Sequence, residues 1–502
     1  MQVSHKKQAQ RWLQVGFTCL LALWMGIGSA RPALADPVEP AADPFYFYAP
    51  VVPNNKCIQP QAAGLFGVQY YGDTTRNSAY HTDYVGSGAS WIRNSVDWAS
   101  VEPANTTPAN YQWSAVDAFV GMAASDCAAM VLTLGANPLW ASTNWEGPID
   151  KVGNDEFVQF VTAVVERYDG DGVQDAPNGA KVSYFEIYNE PDAGPAGAEE
   201  RWGLHGDGYA ALLKLLYPAV KAANPAAQVV FGGIAYDFFT DQDPITPSNN
   251  GPFVRRFLED VLKNGGGAYF DVMNFHFYPL FGPKWTTKFP KDGPGLVEKT
   301  NAVRALLTKY SVNKPIIITE TGWHNNATTP HGSDTLQVRL VQQLYTQSIA
   351  AGVSMVAWWP LSDPGGSYLY NSGLVAAPAQ RKAAFAAYKV MARELGAARF
   401  VAEQTFAVDI KSYQLQDDAH GRTVYVAWTN PTDLATVFGN AQHPYADTTR
   451  TATIALPGEQ MGVYDAFWNK VATVADNADG KNDRKVTITI NGDPKYIVVE
   501  AN

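Results

Sequence analysis

Short apolar runs alternate with helix-like segments along most of the chain. Eight of these runs are rich in β-branched and aromatic residues and predict strands at 65–70, 89–96, 129–134, 182–188, 229–233, 270–275, 315–319 and 354–359. Between them, apolar residues recur every three or four positions, as in 209–223 and in 336–351, where Gly352 is expected to end the helix. Strand and helix alternating eight times predict an α/β protein, a (β/α)8 barrel over residues 62–396 whose last helix spans 380–395.

The pattern changes after Gly396, where apolar residues alternate with period two. Short strands are predicted at 424–428, 451–456, 462–467, 485–490 and 496–499, separated by turn signals such as Pro457-Gly458 and Asn491-Gly492. Residues 397–502 are therefore expected to form a small β-sandwich domain. No exposed row of aromatic residues is obvious in it, so we expect a packing support for the barrel in preference to a binding module.

The chain begins with the features of an export signal. Lys6 and Lys7 precede an apolar stretch at 12–30, and Ala33-Leu34-Ala35 has the pattern of a cleavage site. Residues 1–35 are therefore predicted to be a signal peptide, followed by an extended segment at 36–61, and the protein is expected to be secreted, periplasmic or extracellular. The apolar stretch is long enough to span a bilayer, so a retained membrane anchor stays open.

Charge narrows the range of partners. The predicted signal segment carries four basic and no acidic residues, so its removal changes the formal net charge from -11 to -15. Such acidity argues against nucleic acid or an anionic membrane as a partner. It fits an exported protein that acts on a neutral substrate, with its oligomeric state unspecified.

Metal and cofactor signals are weak. The chain has no Cys/His metal spacing and no glycine-rich phosphate loop, so neither a metal nor a cofactor is expected. The acidic loop at 476–483 could hold calcium, but a solvated hairpin turn is favoured over it. Cys57 and Cys127 could form a disulfide in an oxidising compartment, and free thiols are nearly as compatible with the sequence.

Two of the predicted strands end in a glutamate. The fourth reads K-V-S-Y-F-E-I-Y-N-E-P-D, where Pro191 should stop strand pairing directly after Glu190. The seventh reads K-P-I-I-I-T-E-T-G and delivers Glu320 in the same way. Because the carboxyl ends of all barrel strands lie at one face, both glutamates are predicted to share one site.

A pair of carboxyl groups suits the cleavage of a glycosidic bond. One can donate a proton to the leaving oxygen and the other can attack the anomeric carbon, with retention of configuration when they lie about 5 Å apart. The two roles require different environments, because one group has to stay protonated beside an ionised neighbour.

Polar residues near the same strand ends are candidates for the surrounding site. Arg93, in W-I-R-N-S-V at the end of the second strand, is expected to hold Glu320 in its charged form. Asn189 could donate to a sugar hydroxyl, and His276 or Tyr278, in N-F-H-F-Y-P, could donate to the nucleophile. For each of them an ordinary structural role stays open.

Tryptophans gather after the strand ends, and an indole can stack on the apolar face of a sugar ring. Trp140, Trp323, Trp358 and Trp359 are the candidates, with burial in the barrel core as the alternative for each. Which of Trp358 and Trp359 points inward is left open.

The two strand-end motifs resemble those of a known group. Y-F-E-I-Y-N-E-P and I-I-I-T-E-T-G-W look like the acid/base and nucleophile motifs of the retaining glycoside hydrolases of clan A, and the resemblance covers about residues 62–396. It is strongest to family 39, with family 5 next. It implies Glu190 as acid/base and Glu320 as nucleophile, with the polar residues above and an eighth-strand tryptophan around them. N-P-L-W-A and N-F-H-F-Y-P match only loosely, so the resemblance does not specify the sugar.

The expected function is that of a secreted retaining glycoside hydrolase acting on a β-linked polysaccharide or oligosaccharide. A carbohydrate-binding protein on a barrel without turnover is an alternative from another class, although two intact strand-end glutamates argue against it. Transfer to a sugar acceptor in place of water is a second alternative that the sequence does not separate from hydrolysis.

Overall fold

The computed structural model of the 502-residue chain describes residues 63–177, 179–194, 200–236, 253–279, 295–327, 332–364, 371–407, 410–429 and 452–500. The predicted signal peptide at 1–35 and the extended segment at 36–61 lie outside the described residues. Among the helices of the described ranges, none combines the length and the apolar character needed to cross a bilayer.

Eight parallel strands form a closed barrel. The order along the sheet is β5-β4-β3-β2-β1-β8-β7-β6, and parallel bridges between Val230 and Val272 and between Ile234 and Phe275 join β5 to β6. Each strand overlaps one of the eight predicted runs, so the (β/α)8 fold class is confirmed. The strands are β1 (Phe66–Gln69), β2 (Trp91–Asp97), β3 (Ala129–Gly135), β4 (Tyr184–Ile187), β5 (Gln228–Phe231), β6 (Met273–Phe277), β7 (Ile316–Thr321) and β8 (Val356–Trp358).

Amphipathic helices lie between the strands. In the helix Gly206–Ala223, the buried side chains Tyr209, Leu212, Leu213, Leu216 and Val220 follow helical spacing. The described helices are α1 (Ala79–Ser87), α2 (Trp98–Val101), α3 (Ser114–Ser125), α4 (Asn154–Arg167), α5 (Gly206–Ala223), α6 (Phe257–Lys263), α7 (Leu296–Lys309), α8 (Asp334–Ala351) and α9 (Ala383–Leu395).

The ends of the last two helices follow from local chemistry. Ser333 caps α8 by accepting from the Leu336 N–H, and Gly352 ends it with φ 67°, the left-handed conformation that glycine adopts easily. α9 begins three residues later than predicted, because 380–381 pairs with 375–377 in a short hairpin of β10 (Gln380–Arg381) and β9 (Val375–Ala377).

The barrel interior has an apolar layer below a polar one. The apolar layer is closed by Trp91, whose indole fits only because Gly67 has no side chain: a Cβ there would lie 2.1 Å from it. Two residues further along each strand, the next inward-facing residue is polar. The pairs are Trp91 and Arg93, Val131 and Thr133, Tyr184 and Glu186, Val272 and Asn274, and Ile317 and Thr319.

The C-terminal region is a β-sandwich. A six-stranded antiparallel sheet, in the order β11-β12-β13-β18-β15-β16, faces the pair β14-β17. The strands are β11 (Arg399–Gln404), β12 (Ile410–Asp417), β13 (Arg422–Thr429), β14 (Ala452–Pro457), β15 (Gln460–Tyr464), β16 (Lys470–Ala475), β17 (Lys485–Ile490) and β18 (Lys495–Glu500).

Three of these strands were not predicted. β11 and β16 lie at the two edges of the large sheet, so most of their side chains face solvent and lack a period-two apolar pattern. β12 carries Lys411, Ser412, Gln414 and Gln416 among its apolar residues, which hides the same pattern.

Both faces of the large sheet are covered. Val424, Val426 and Trp428 on β13 join the same apolar cluster as the barrel, whereas Ala427 faces the smaller sheet. Helix α8 lies beneath the sheet, with Gln342 donating to the Tyr496 hydroxyl at 3.1 Å. The sandwich therefore packs on the barrel, and its role as a support in preference to a binding module stays a prediction.

Two open points of the sequence concern cysteine and calcium. Cys127 is disulfide-bonded, while Cys57 lies outside the described residues. In the loop 476–483, Asp476 accepts from the N–H groups of Asp483 and Lys485 at 3.0 and 3.1 Å. Its carboxylate thus closes a hairpin turn, which is the favoured interpretation of this loop.

The contact between barrel and sandwich yields a stability prediction. Arg422 on β13 donates to Glu394 of α9 at 2.6 Å and to Asp417 of β12 at 2.8 Å, and both carboxylates are nearly inaccessible. Arg422→Ala should lower the free energy of unfolding by about 3 kcal/mol, because it leaves two buried carboxylates without their shared cation. Urea unfolding measures this effect.

Arg399→Ala is the matched control, since the pair of Arg399 with Asp418 is largely exposed. It should leave the unfolding midpoint unchanged. Equal midpoints for both variants would show that Arg422 does not tie the two domains together.

Candidate active site

Arg93 organises the polar layer of the barrel. It is the third residue of β2 and not at its end, as the sequence suggested, and it is 2% exposed. Its guanidinium donates to Glu186 at 2.7 and 3.0 Å, to Glu320 at 2.6 Å and to Asn189 at 2.7 Å. One cation therefore connects the middle of the barrel to the ends of β4 and β7.

Glu186 is a site residue that the sequence interpretation missed. It lies in the middle of β4 with no exposed surface. Besides Arg93, its carboxylate accepts from Thr133 at 2.7 Å, Asn274 at 2.8 Å and Thr319 at 3.2 Å. Burial alone would raise the pKa of Glu186, but the charge and hydrogen bonds of Arg93 outweigh it and hold that pKa below its ordinary value. The position of Glu186 inside the apolar run Y-F-E-I-Y is the sequence signal for this role, because a buried carboxylate requires a charged or hydrogen-bonding partner.

Glu190 lies on strained backbone three residues after the end of β4 at Ile187. Tyr188 and Glu190 have backbone φ angles of 60° and 47°, in a region that residues other than glycine rarely adopt. The segment is held by the Tyr188 N–H, which donates to Leu134 O at 2.8 Å, and by the Tyr188 hydroxyl, which donates to Asn137 at 2.7 Å. This backbone conformation directs the side chain of Glu190 to the mouth of the barrel, where it is 30% exposed.

The environment of Glu190 favours its protonated form. Burial in the cleft raises the pKa of Glu190 to about 7, against the opposing charges of Arg93, Arg201 and Lys299. A carboxyl group with this pKa can hold a proton near neutral pH and release it during a reaction. This is the property required of a general acid.

His276 lies beside Glu190. Its Nδ1 is 3.1 Å from Glu190 Oε1 and 3.7 Å from Glu320 Oε2, so the ring is closer to the predicted acid than to the predicted nucleophile. Burial lowers the pKa of His276 to about 4, despite the nearby Glu320, and the ring is neutral at ordinary pH. Gly233 makes room for it, because a Cβ there would lie 2.1 Å from Nε2.

Glu320 faces Glu190 across the mouth of the barrel. The Tyr278 hydroxyl donates to Glu320 Oε2 at 2.8 Å, while Arg93 donates to Oε1 at 2.6 Å. Both carboxylate oxygens are thereby held in place. A carboxylate oxygen of Glu190 and one of Glu320 lie within 4.8 Å of each other, as does a ring nitrogen of His276.

The orientation of Asn189 follows from its contact with Arg93. A guanidinium only donates, so the amide oxygen of Asn189 faces it. The amide NH₂ group is then turned away from Arg93 and is available to donate to a ligand. This agrees with the role expected of Asn189, which stays a prediction.

Among the predicted tryptophans, Trp359 is the one that lines the site. Its ring meets Tyr278 edge-on at 6.2 Å, and its indole forms a hydrogen bond with Tyr71, which is 42% exposed. Of the adjacent Trp358 and Trp359, it is therefore Trp359 whose indole faces the cleft. Tyr71, from the end of β1, was not predicted.

The structure corrects the predictions for Trp323 and Trp358. Trp323 and Trp358 are 1% and 0% exposed, so neither presents a face to a sugar, and Trp358 donates to Ser372 O at 2.7 Å inside the core. Trp140 is partly exposed, but its indole donates to Glu102 O at 2.9 Å and packs edge-on against Trp98. Trp323 and Trp358 therefore lie in the core, the alternative that the sequence left open, while a role of Trp140 in sugar binding stays a prediction.

Among the described residues, two clusters each bring three possible metal ligands together. One is Glu190, His276 and Glu320, and the other is Asp169, Asp171 and Asp175 on the loop after α4. In the first cluster the guanidinium of Arg93 already lies 2.6 Å from Glu320, where it would repel a second cation. The charge of Arg93 therefore disfavours a metal ion in the first cluster.

Solved structures share this fold. A family 39 glycoside hydrolase from the gut symbiont Bacteroides cellulosilyticus WH2 has a TM-score of 0.61 at 18% identity, covering 87% of this chain and 80% of its own. A family 39 β-xylosidase from Caulobacter crescentus has a TM-score of 0.55 at 16% identity, covering 88% and 97%. A family 30 endoxylanase from Clostridium papyrosolvens C71 has a TM-score of 0.54 at 14% identity, covering 88% and 98%.

No protein-family model matches the sequence, and no curated protein is similar to it in sequence. The structural similarity shows that this chain has the barrel-and-sandwich fold of these glycoside hydrolases. They include family 39, the family that the two strand-end motifs resemble most. The resemblance is thus confirmed at the level of the fold.

The raised pKa of Glu190 can be measured directly. In protein labelled with ¹³C at the glutamate carboxyl groups, the resonance of Glu190 should titrate with a midpoint near pH 7, whereas exposed glutamates titrate near pH 4.3. Glu190 should therefore be protonated at pH 6 and ionised at pH 8. Glu190→Gln assigns the resonance by its disappearance.

A midpoint for Glu190 near pH 4.3, where exposed glutamates titrate, would contradict the environment described for the site.

Proposed function

We propose that this protein is a retaining glycoside hydrolase that cleaves β-glycosidic bonds with Glu190 as acid/base and Glu320 as nucleophile. The observation that carries the proposal is the approach of the two carboxyl groups to within 4.8 Å at the mouth of the barrel. In retaining enzymes the two groups are about 5 Å apart, whereas inverting enzymes leave room for a water between them. The fold comparisons and the two strand-end motifs support the same activity.

In the first step Glu320 attacks the anomeric carbon while protonated Glu190 donates to the leaving oxygen. Arg93 and Tyr278 fix the two oxygens of Glu320, so the attacking carboxylate is oriented before substrate enters. A covalent glycosyl ester on Glu320 and an ionised Glu190 result. The bond to the leaving sugar breaks as its oxygen gains the proton.

In the second step Glu190 acts as a base. It takes a proton from a water molecule, which attacks the anomeric carbon and releases Glu320. A pKa near 7 lets one carboxyl group serve both steps, since neither form is strongly disfavoured. If a sugar hydroxyl replaced water, the same residues would carry out transglycosylation.

A neutral, β-linked glycan is the proposed substrate class. The similar structures are described as xylanase, β-xylosidase, glucosidase and xyloglucanase, among others. Trp359 and Tyr71 provide an aromatic wall for a sugar ring beside the glutamates. An acidic chain that meets its substrate outside the cell fits the predicted signal at 1–35, and secretion stays part of the proposal.

Removal of the nucleophile tests the role of Glu320. Glu320→Ala should lower the hydrolysis of 4-nitrophenyl β-xyloside and of xylan by at least roughly 10⁴-fold, because no covalent intermediate can form. Added azide should restore cleavage and yield an α-glycosyl azide, since the anion attacks from the side of the missing carboxylate. Reducing-sugar release and NMR of the product measure both outcomes.

The matched control is Glu459→Ala on the sandwich surface, which should retain the parent rate. Cleavage by Glu320→Ala at the parent rate would make the nucleophile assignment wrong. A panel of other aryl β-glycosides and polysaccharides identifies the sugar if xylose is not accepted.

The role of Glu190 is tested by varying the leaving group. Glu190→Ala should lose roughly 10²–10⁴-fold on glycosides with poor leaving groups, which need protonation. The first step with a 2,4-dinitrophenyl leaving group should be nearly unaffected, because that group departs without a proton. Pre-steady-state release of the phenol measures this step alone. Equal losses on both substrates would exclude Glu190 as the general acid.

A further inference from the structure

Thr319 lies between the polar layer of the barrel and His276. Its hydroxyl oxygen is 2.8 Å from Asn274 Nδ2, 3.2 Å from Glu186 Oε1 and 3.0 Å from His276 Nε2. All four side chains are buried. A hydroxyl has one proton and two lone pairs, so these three neighbours determine the direction of each hydrogen bond.

The amide of Asn274 has one possible orientation. The Thr319 N–H donates to Asn274 Oδ1 at 3.1 Å, which identifies the oxygen end of the amide. The NH₂ end therefore faces both the Thr319 hydroxyl and Glu186, each at 2.8 Å. Asn274 Nδ2 therefore donates to one of the two lone pairs of the Thr319 hydroxyl oxygen.

The proton of the hydroxyl goes to Glu186. If Thr319 donated to His276 instead, its remaining lone pair would face the anionic Glu186 oxygen at 3.2 Å, an unfavourable contact in a site without solvent. With the proton directed to Glu186, the second lone pair is open. The Nε2 atom of His276, at 3.0 Å, then has to be the donor.

We propose that Thr319, oriented by Glu186 and Asn274, is a positioning residue that fixes His276 in its Nε2–H tautomer, so that Nδ1 accepts a hydrogen bond from the protonated carboxyl group of Glu190. The chain of hydrogen bonds runs from Glu190 through His276 and Thr319 to Glu186. The catalytic part of this inference rests on the proposed role of Glu190, whereas the tautomer itself does not.

This arrangement has a defined effect on the acid. An acceptor 3.1 Å from Glu190 Oε1 stabilises the protonated carboxyl group and directs its proton. The opposite tautomer would place an N–H against Glu190 and stabilise the carboxylate instead. Thr319 therefore acts on the proton affinity of a residue that it does not touch.

Other charged or titratable groups face Glu190 and His276, and they contribute to the same titration. They are Arg93 on β2, Glu186 on β4, Asp192 and Arg201 after β4, Tyr278 after β6, Lys299 on α7 and Glu320 on β7. None of them changes between the variants Thr319→Val and Thr319→Ser. Thr319→Val replaces the hydroxyl with a methyl group, whereas Thr319→Ser removes only the methyl group, so comparing each variant with the parent protein separates the two effects.

The tautomer is observable in the parent protein without any substrate. In ¹⁵N-histidine-labelled protein at pH 7, long-range ¹H–¹⁵N correlations should show a protonated Nε2 and an unprotonated Nδ1 for His276, assigned by its loss in His276→Gln. In Thr319→Val the two ¹⁵N shifts should move toward each other, as the second tautomer becomes populated. Thr319→Ser should keep the parent shifts.

The titration of Glu190 provides the second readout. In Thr319→Val the ¹³C midpoint of Glu190 should fall by about one pH unit, and in Thr319→Ser it should stay at the parent value. An Nδ1–H tautomer in the parent protein would overturn the proposal, and so would equal midpoints in all three proteins. Neither readout uses turnover, so an enzyme assignment that failed on Glu320 would leave this result intact.

Discussion

The ion pair between Arg93 and Glu186 inside the barrel is the interaction on which the site depends. Both side chains are essentially inaccessible, and a buried charge without its partner destabilises a fold by several kcal/mol. The geometry is bidentate, with distances of 2.7 and 3.0 Å, which fixes the plane of the guanidinium. The remaining donors of Arg93 then point to Glu320, Asn189 and Gln69. The side chains at the ends of β4 and β7 are therefore oriented by an ion pair deeper in the barrel.

The position of this pair follows from the period of a β-strand. Inward residues alternate with outward ones, and successive inward residues of neighbouring strands form layers. An apolar layer with Trp91 at its centre seals one end of the barrel, and the next layer holds Arg93, Glu186 and their polar partners. Solvent reaches the polar residues only from the carboxyl ends of the strands. That is why Glu190 and Glu320, near the carboxyl ends of β4 and β7, meet at a single open mouth.

Much of this arrangement could be predicted from the sequence. The eight apolar runs are continuous because parallel strands are buried on both faces, although the fourth strand ends at Ile187, four residues before Pro191. Glutamates near the carboxyl ends of two parallel strands are sufficient to predict where the active site lies. The tryptophans could not be assigned, because Trp358 and Trp359 differ by one residue and a strand reverses faces at each step. The edge strands of the sandwich were missed, since solvent-facing strands carry little apolar pattern.

Glu186 shows what periodicity leaves out. Its presence in an apolar run signals a buried charge, but its partners come from strands 50 to more than 100 residues away in sequence, and only the closed barrel brings them together. The same long-range contacts give the two catalytic candidates their different environments. Glu320 faces a guanidinium and a phenol hydroxyl, whereas Glu190 faces a neutral imidazole. The division of roles between two chemically identical side chains is therefore a property of the barrel interior.

Trapping of the covalent intermediate tests this account most directly. A 2-deoxy-2-fluoro β-glycoside of the sugar that the purified protein hydrolyses, with a 2,4-dinitrophenyl leaving group, slows release of the intermediate more than its formation. Mass spectrometry of the digested protein should then find one sugar on the peptide that contains Glu320, and on no other peptide. A sugar attached to a different residue, or hydrolysis of the parent glycoside with first release of the α-anomer, would contradict the account.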